Sequence, residues 1–424
     1  MTSETFSSRA ENDDATPGIG ARATGLAEAM PSAAVIPPVP GDRLPLPALL
    51  VMALMGFILI ATETMPAGLL PQIASGLGIT EATAGQMVSA YALGTVILTI
   101  PAIALTRGMR RKPVFLAGIL GFLLANIAAG FSADIVLSLV ARFVAGAFSG
   151  LAWGMMAGYA RRISAPKFAG RALAIASLGT PLGLAVGTPL GSWLGTTFDW
   201  RFSFWALSVL TILTGLLALA IVPDAPGQRA ESQIPMVRVF AIPGVSVILV
   251  VIFAWMLAHN TVYTYIASFL RTTNVSLTVD VALVVFGVSA LIGIWITGSL
   301  IDRAPRPLVL ASLSLFLIAG IIFIAGNQSL VAVLVALALW GIAFGGAAPQ
   351  LQSAISAASG ENADVANSLL GVAFNVAIFF AGIVGAVLIS TADGLVLPVL
   401  MVALAAVALA IAFTARRYAF PSRS

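Results

Sequence analysis

From Leu44 onward the chain is a succession of long apolar runs broken by short polar segments. Twelve runs can be drawn, at approximately 47–73, 83–105, 113–131, 135–158, 170–195, 202–222, 244–269, 279–300, 307–326, 330–356, 363–390 and 394–415. About 20 helical residues cross the hydrocarbon core of a bilayer, so each run is long enough for one crossing. The strands of a membrane β-barrel, about ten residues of alternating polarity, make a different pattern. The elements predicted are twelve transmembrane helices of an all-α polytopic membrane protein. The longest polar interruption, 223–243, begins Pro223-Asp224-Ala225-Pro226-Gly227 and separates six spans over 44–222 from six over 244–415. Residues 1–43 are polar and rich in alanine and proline, without the basic-then-apolar order of a signal peptide. They are expected to form a disordered tail, with a second short tail at 416–424.

Composition narrows the class. Of 424 residues, 59% are hydrophobic and only 9% charged, against about 25% charged in a soluble domain. The chain has no cysteine, which excludes disulfides and thiolate metal sites. A single histidine, His259, argues against a histidine metal site, and neither a metal nor a bound cofactor is expected. The net charge of +4 is not that of a nucleic-acid surface, because the cations collect in alternate loops. Arg107, Arg110, Arg111 and Lys112 follow span 2, and Arg161, Arg162, Lys167 and Arg171 lie between spans 4 and 5. Arg229 and Arg238 are in the central linker, Arg303 and Arg306 follow span 8, and Arg416, Arg417 and Arg423 end the chain. The intervening loops hold only Arg201 and Arg271. The positive-inside rule therefore places both termini in the cytoplasm of a bacterial cell, with the spans in its inner membrane and the cations beside anionic lipid. Trp200-Arg201-Phe202 then reads as an anchor at the outer interface.

Residues 196 apart repeat. Leu105-Thr106-Arg107 matches Ile301-Asp302-Arg303, Arg110 matches Arg306, and Gly150 matches Gly346. Short basic loops could arise independently in each half, but agreement at one offset favours duplication. Two six-helix halves in parallel repeat, with a site at their interface near midplane, are a transporter architecture.

Three strongly ionisable groups lie well inside the spans: Glu63, Arg142 and His259. At 1.5 Å per residue, Glu63 falls about 4.5 Å outward of the centre of span 1 and Arg142 about 7.5 Å outward of the centre of span 4. Glu63 and His259 are 196 apart, so the repeat puts all three in one layer. A charge at such depth is costly and normally faces the bundle interior with a partner. Burial raises a carboxyl pKa and a nearby guanidinium lowers it, so proton occupancy of Glu63 can follow its distance from Arg142. The alternatives are a permanent structural ion pair, or an Arg142 that snorkels to the outer interface. His259 either relays a proton or is a neutral, hydrogen-bonded polar residue of a cavity wall.

Span 4, Arg142-Phe143-Val144-Ala145-Gly146-Ala147-Phe148-Ser149-Gly150-Leu151-Ala152-Trp153-Gly154, spaces Gly146, Gly150, Gly154 and Gly158 four apart as one smooth packing face. Span 5 carries Gly179-Thr180-Pro181-Leu182-Gly183-Leu184-Ala185-Val186-Gly187-Thr188-Pro189-Leu190-Gly191. Proline bends a helix there and glycine lets a neighbour close on the bend. With the loop Gly298-Ser299-Leu300-Ile301-Asp302-Arg303-Ala304-Pro305-Arg306, and Thr62-Glu63 followed by Gly68-Leu69-Leu70-Pro71 in span 1, these features resemble the major facilitator superfamily. The likeness is to its twelve-span drug:proton antiporter branch, and within that to arabinose-efflux-permease and purine-ribonucleoside-efflux transporters.

The resemblance covers about 47–415. It implies a charge latch at the loops after spans 2 and 8, involving Arg107, Arg110, Arg111, Asp302, Arg303 and Arg306. The first copy has Thr106 where aspartate is expected, so a latch there must find its acid elsewhere; otherwise these arginines only set topology. It also implies proton coupling at Arg142, and an export-type flexible seam at Gly183, Gly187, Pro189 and Gly191. Thr188 and Ser192 make that last match imperfect.

Helical spacing suggests cavity walls at Trp153 and Met156 in span 4, at Trp255, Asn260 and Tyr263 in span 7, and at Trp340 and Asn375 in spans 10 and 11; lipid-facing aromatics would look the same. The expected protein is a monomeric secondary transporter exporting a small organic solute by proton antiport, with proton-coupled uptake and a non-transporting membrane sensor as alternatives. No nucleophile–base pair or metal ligand set points to an enzyme.

Overall fold

The structure, a computed structural model, is described at residues 44–227, 236–415 and 418–420. The tail 1–43, Arg229, and Arg416, Arg417 and Arg423 lie outside the described residues. Among the described residues twelve helical segments are long and apolar enough to cross a membrane. In the first half these are α1 (Leu46–Gly68), α2 (Glu81–Thr106), α3 (Arg111–Gly130), α4 (Ile135–Arg162), α5 (Pro166–Thr197) and α6 (Trp200–Ile221). The second half comprises α7 (Val245–Thr264), α8 (Val279–Leu300), α9 (Pro305–Ala325), α10 (Leu330–Ser359), α11 (Val365–Thr391) and α12 (Val396–Thr414). Each coincides with one predicted run. No strand occurs among the described residues.

Side-chain caps start α2, α4, α6 and α10. Thr80 accepts from the Thr83 N–H, Asp134 from Leu137 and Asp199 from Arg201 at 2.8 Å; each satisfies a main-chain donor that a helix N-terminus leaves free. α1 breaks at Leu69 and resumes over Leu70–Leu77, and α7 breaks at Tyr265 and resumes over Ile266–Thr272. The two breaks are 196 residues apart. α5 widens into a π turn over Gly183–Gly187, just before Pro189. Proline withholds an N–H from the helix ladder, and a wide turn accommodates that loss.

The packing repeats with the sequence. In the first half α2 lies on α4, α3 on α4 and α6, and α1 on α5 and α6. In the second, α8 lies on α10, α9 on α10 and α12, and α7 on α11 and α12. The halves meet where α2 packs on α11 and α5 on α8, pairs that exchange under the same repeat.

The first-half basic loop finds its acid in the linker. Arg110 pairs with Asp224 at 2.5 Å, the Asp224 carboxylate accepts from the Lys112 and Ala225 N–H groups, and Tyr159 and Arg162 donate to the carbonyls of Pro223 and Pro226. The linker thus ties the ends of α4 and α6 to the α2–α3 loop. In the second half Arg306 donates to the carbonyls of Ala412, Phe413 and Phe420. Both arginines fasten their own half rather than reaching across.

Candidate functional site

Three helices converge on Arg142. Three of the four α4 glycines predicted as a packing face seat α4 against α2: a side chain at Gly146 would strike the Tyr91 main chain, one at Gly150 Thr99 and one at Gly154 Ile103, whereas Gly158 faces open space. That closeness buries Arg142 completely. Its Nη1 donates to the Thr62 carbonyl at 2.9 Å, Nη2 to the Glu63 carbonyl at 3.3 Å and Nε to the Met87 carbonyl at 3.2 Å. The guanidinium also lies 4.4 Å over the Tyr91 ring, and the Tyr91 hydroxyl donates to the Leu59 carbonyl. Arg142 does not snorkel; it faces inward. Spacing placed Arg142 and Glu63 at one depth but missed Tyr91, whose arginine-facing position only the α2–α4 crossing defines.

Arg142 therefore reaches Glu63 through the main chain, not through the carboxylate. The carboxylate is near enough to interact electrostatically with the guanidinium, yet the ion pairs within 4.0 Å among the described residues do not include it. Glu63 is only partly buried. Beside it, Thr64 and Thr188 share a hydrogen bond at 2.5 Å, joining α1 to α5. The buried Tyr263 hydroxyl of α7 points at this threonine pair without a well-formed hydrogen bond.

His259 stands apart from Glu63 and Arg142. Its Nδ1 accepts from the Trp340 indole at 3.0 Å, and its ring stacks on Phe344 at 3.5 Å. Phe286 and Tyr263 complete the surround. An accepting Nδ1 carries no proton, so this histidine is the neutral tautomer protonated at Nε2. The three groups make their contacts in two clusters, Arg142 with Glu63 and His259 with Trp340 and Phe344, and Tyr263 leans between them.

The expected cavity walls divide. Trp153 and Asn375 remain partly exposed. Met156, Trp255, Tyr263 and Trp340 are buried, and Asn260 nearly so, its amide donating to the Met256 carbonyl. Trp255 packs on Phe316 and Trp340 on Phe286 and Phe323, which makes both of them core of the second half. Trp200 is also no interface anchor: it is buried against Phe204 and beside Gly76. The α5 glycines close on a neighbour as their spacing implies, and that neighbour is α1. Gly183, Gly187 and Gly191 face Phe57, Ile60, Ala61 and Met65 of α1, within one half. The inter-half approach is made by Gly287 of α8 against the main chain at Leu184 and Ala185. Arg303 and Asp302 are exposed at the α8–α9 turn.

Two halves of six membrane helices that pack by the same repeat and meet at two exchanged helix pairs define a multi-pass membrane transporter rather than an enzyme. A sequence profile of the Major Facilitator Superfamily matches residues 52–382, and the chain belongs to that superfamily. Its fold is similar to the crystal structure of a bacterial homolog to the human lysosomal transporter Spinster in an inward-facing and unoccupied conformation. The TM-score is 0.68 at 14% identity, covering 91% of this chain and 100% of that one.

Proposed function

We propose that this transporter exports a small organic solute of the sugar, nucleoside or drug class by antiport against protons, with Glu63 carrying the proton. The observation that supports this reading is the division of labour at Arg142. Main-chain carbonyls take its hydrogen bonds, so the carboxylate can gain and lose a proton without breaking the contacts that hold Arg142. A shift of α1 against α4 changes the distance between the charges and with it the proton affinity. His259 serves in this reading as an acceptor that orients Trp340, not as a carrier. The basic loops and both termini face the cytoplasm of the bacterial inner membrane, the residues 44–222 and 244–415 move as the two halves, and a monomer powered by the proton gradient needs no bound cofactor.

The test is transport in everted vesicles. Glu63→Gln is expected to abolish pH-gradient-driven export of a solute that the wild type moves, while solute binding persists. Full gradient-driven export by that variant would overturn the assignment, and accumulation inside intact cells would reverse the direction.

A further inference from the structure

Of the two cations on the sparsely charged side, Arg201 is satisfied locally, by Asp199 at 3.6 Å, the Ser132 carbonyl and the Trp200 ring. Arg271 instead leaves its own half. From the helical turn after α7, its Nη2 donates to Oε2 of Glu81 at 2.5 Å, and Ser268 Oγ donates to the same oxygen at 2.8 Å. Glu81 opens α2 in the other half, where a helix N-terminus favours a carboxylate.

Further contacts cross at the same end. The Tyr265 ring occupies a slot that side chains at Gly85 of α2 or Gly385 of α11 would fill. Its hydroxyl donates to the Gly382 carbonyl at 2.7 Å and approaches that of Ala82 at 3.5 Å. Gln86 donates across to the Gly382 carbonyl at 3.1 Å, and Ser89 to that of Phe379 at 2.9 Å. Behind them Val88, Ala92 and Ile378 form a buried apolar cluster bridging α2 and α11.

We propose that Glu81, Ser268 and Arg271 form a latch that holds the two halves together at the end opposite the basic loops, and that its release precedes opening on that side. Neither loop signature of the sequence includes these residues. The side chains of Arg271 and Glu81 are 53% and 19% exposed. A pair so placed is worth a severalfold change in population rather than orders of magnitude, which suits a contact that must break in every cycle. Ser268 adds direction: its hydroxyl and the guanidinium converge on one oxygen, so a separation of α2 from α7 breaks both bonds together. The proposal does not depend on Glu63 carrying a proton.

The chain has no cysteine, so paired thiols can be introduced at Ser75 and Ser276, both exposed at this end on opposite halves. Spin labels there, in the purified full-length protein, report the separation. Glu81→Gln and Arg271→Gln are each expected to raise the ratio of long to short distances by roughly two- to fivefold, with Ser268→Ala shifting it less in the same direction. The exchanged variant E81R/R271E should return toward the wild-type ratio. Alkylation of a thiol at Ala92→Cys, buried behind the latch, reads rarer opening and should accelerate in both single variants. Wild-type distances and alkylation in both singles would overturn the proposal, as would an exchanged variant that opens as far as the two singles combined.

Discussion

Pro66 decides how Arg142 is held. In a regular helix the Thr62 carbonyl would accept from the N–H four residues on, but that residue is Pro66, which has none. Arg142 Nη1 fills the vacancy at 2.9 Å. The stretch Thr62-Glu63-Thr64-Met65-Pro66 thus supplies both the acid and the free carbonyl that places a cation beside it. Removing the guanidinium strands the Thr62 carbonyl, which no helical N–H can reach, and empties a fully buried site, so Arg142→Ala should cost roughly 3 kcal/mol, read as a lowered unfolding midpoint in detergent. Arg142→Lys should recover only part, because an ammonium cannot span three carbonyls on two helices as a planar fork does. Equal midpoints for wild type and Arg142→Ala would show that the carbonyls find other donors. The nearness of Glu63 and Arg142 was legible from depth alone, since helix rise converts residue number into position. The partners were not. Trp255, His259 and Tyr263 share a spacing of four, yet Trp255 packs on Phe316 while Tyr263 leans on Thr64 and Thr188. A helix surrounded by apolar neighbours on all sides lacks the polarity contrast that tells core from cavity.

Among the elements, α5 shows that a motif can mark a close approach without naming the helix that makes it. Its glycines recur every four residues, so they mark a close approach, but spacing does not name the helix that approaches. The structure seats them on α1, leaving Leu184 and Ala185 for α8. The approach is graded. A side chain at Gly179 would run into the main chain at Ala53 and Phe57; at Gly183 it would meet Ile60 and the Phe57 carbonyl; at Gly191 it would meet only the flexible Met65 side chain. Main chain cannot yield as a thioether can, so alanine substitutions should destabilise in the order Gly179, Gly183, Gly191, from roughly 3 kcal/mol down to less than about 1. Gly158→Ala, which meets nothing within 4 Å, serves as the neutral control. Thermal unfolding of the four variants tests the order. A flat series would mean that α1 and α5 slide freely, as a hinge between moving bodies does and a packed seam does not.

Across the whole molecule, the twelve crossings were legible because bilayer thickness is written in composition, while the ties within each half depend on tertiary proximity. Those ties differ between the halves in a way that acid should reveal. Arg110 and Arg306 are related by the repeat, and so are Asp224 and Phe420. The first half closes on a carboxylate, whereas the second closes on the Phe420 main-chain carbonyl. Burial pushes the Asp224 carboxyl up, but the N–H groups of Lys112 and Ala225 and the Arg110 guanidinium outweigh it and hold the carboxyl below its ordinary value. A depressed folded pKa contributes stability that is fully present above the unfolded value of about 3.9 and is lost as pH falls through the lower, folded one. Acid should therefore loosen the first half's tie while leaving the second half's intact. Between pH 7 and pH 3 the unfolding midpoint of Asp224→Asn should fall less than that of the wild type, the difference appearing only below about pH 5. Arg306→Gln should instead lower the midpoint by a similar amount at every pH, because no proton binds to the carbonyls it leaves. Parallel acid profiles for wild type and Asp224→Asn would mean that the linker carboxylate does not hold the first half, and that α4 and α6 are tied to the α2–α3 loop by main-chain bonds alone.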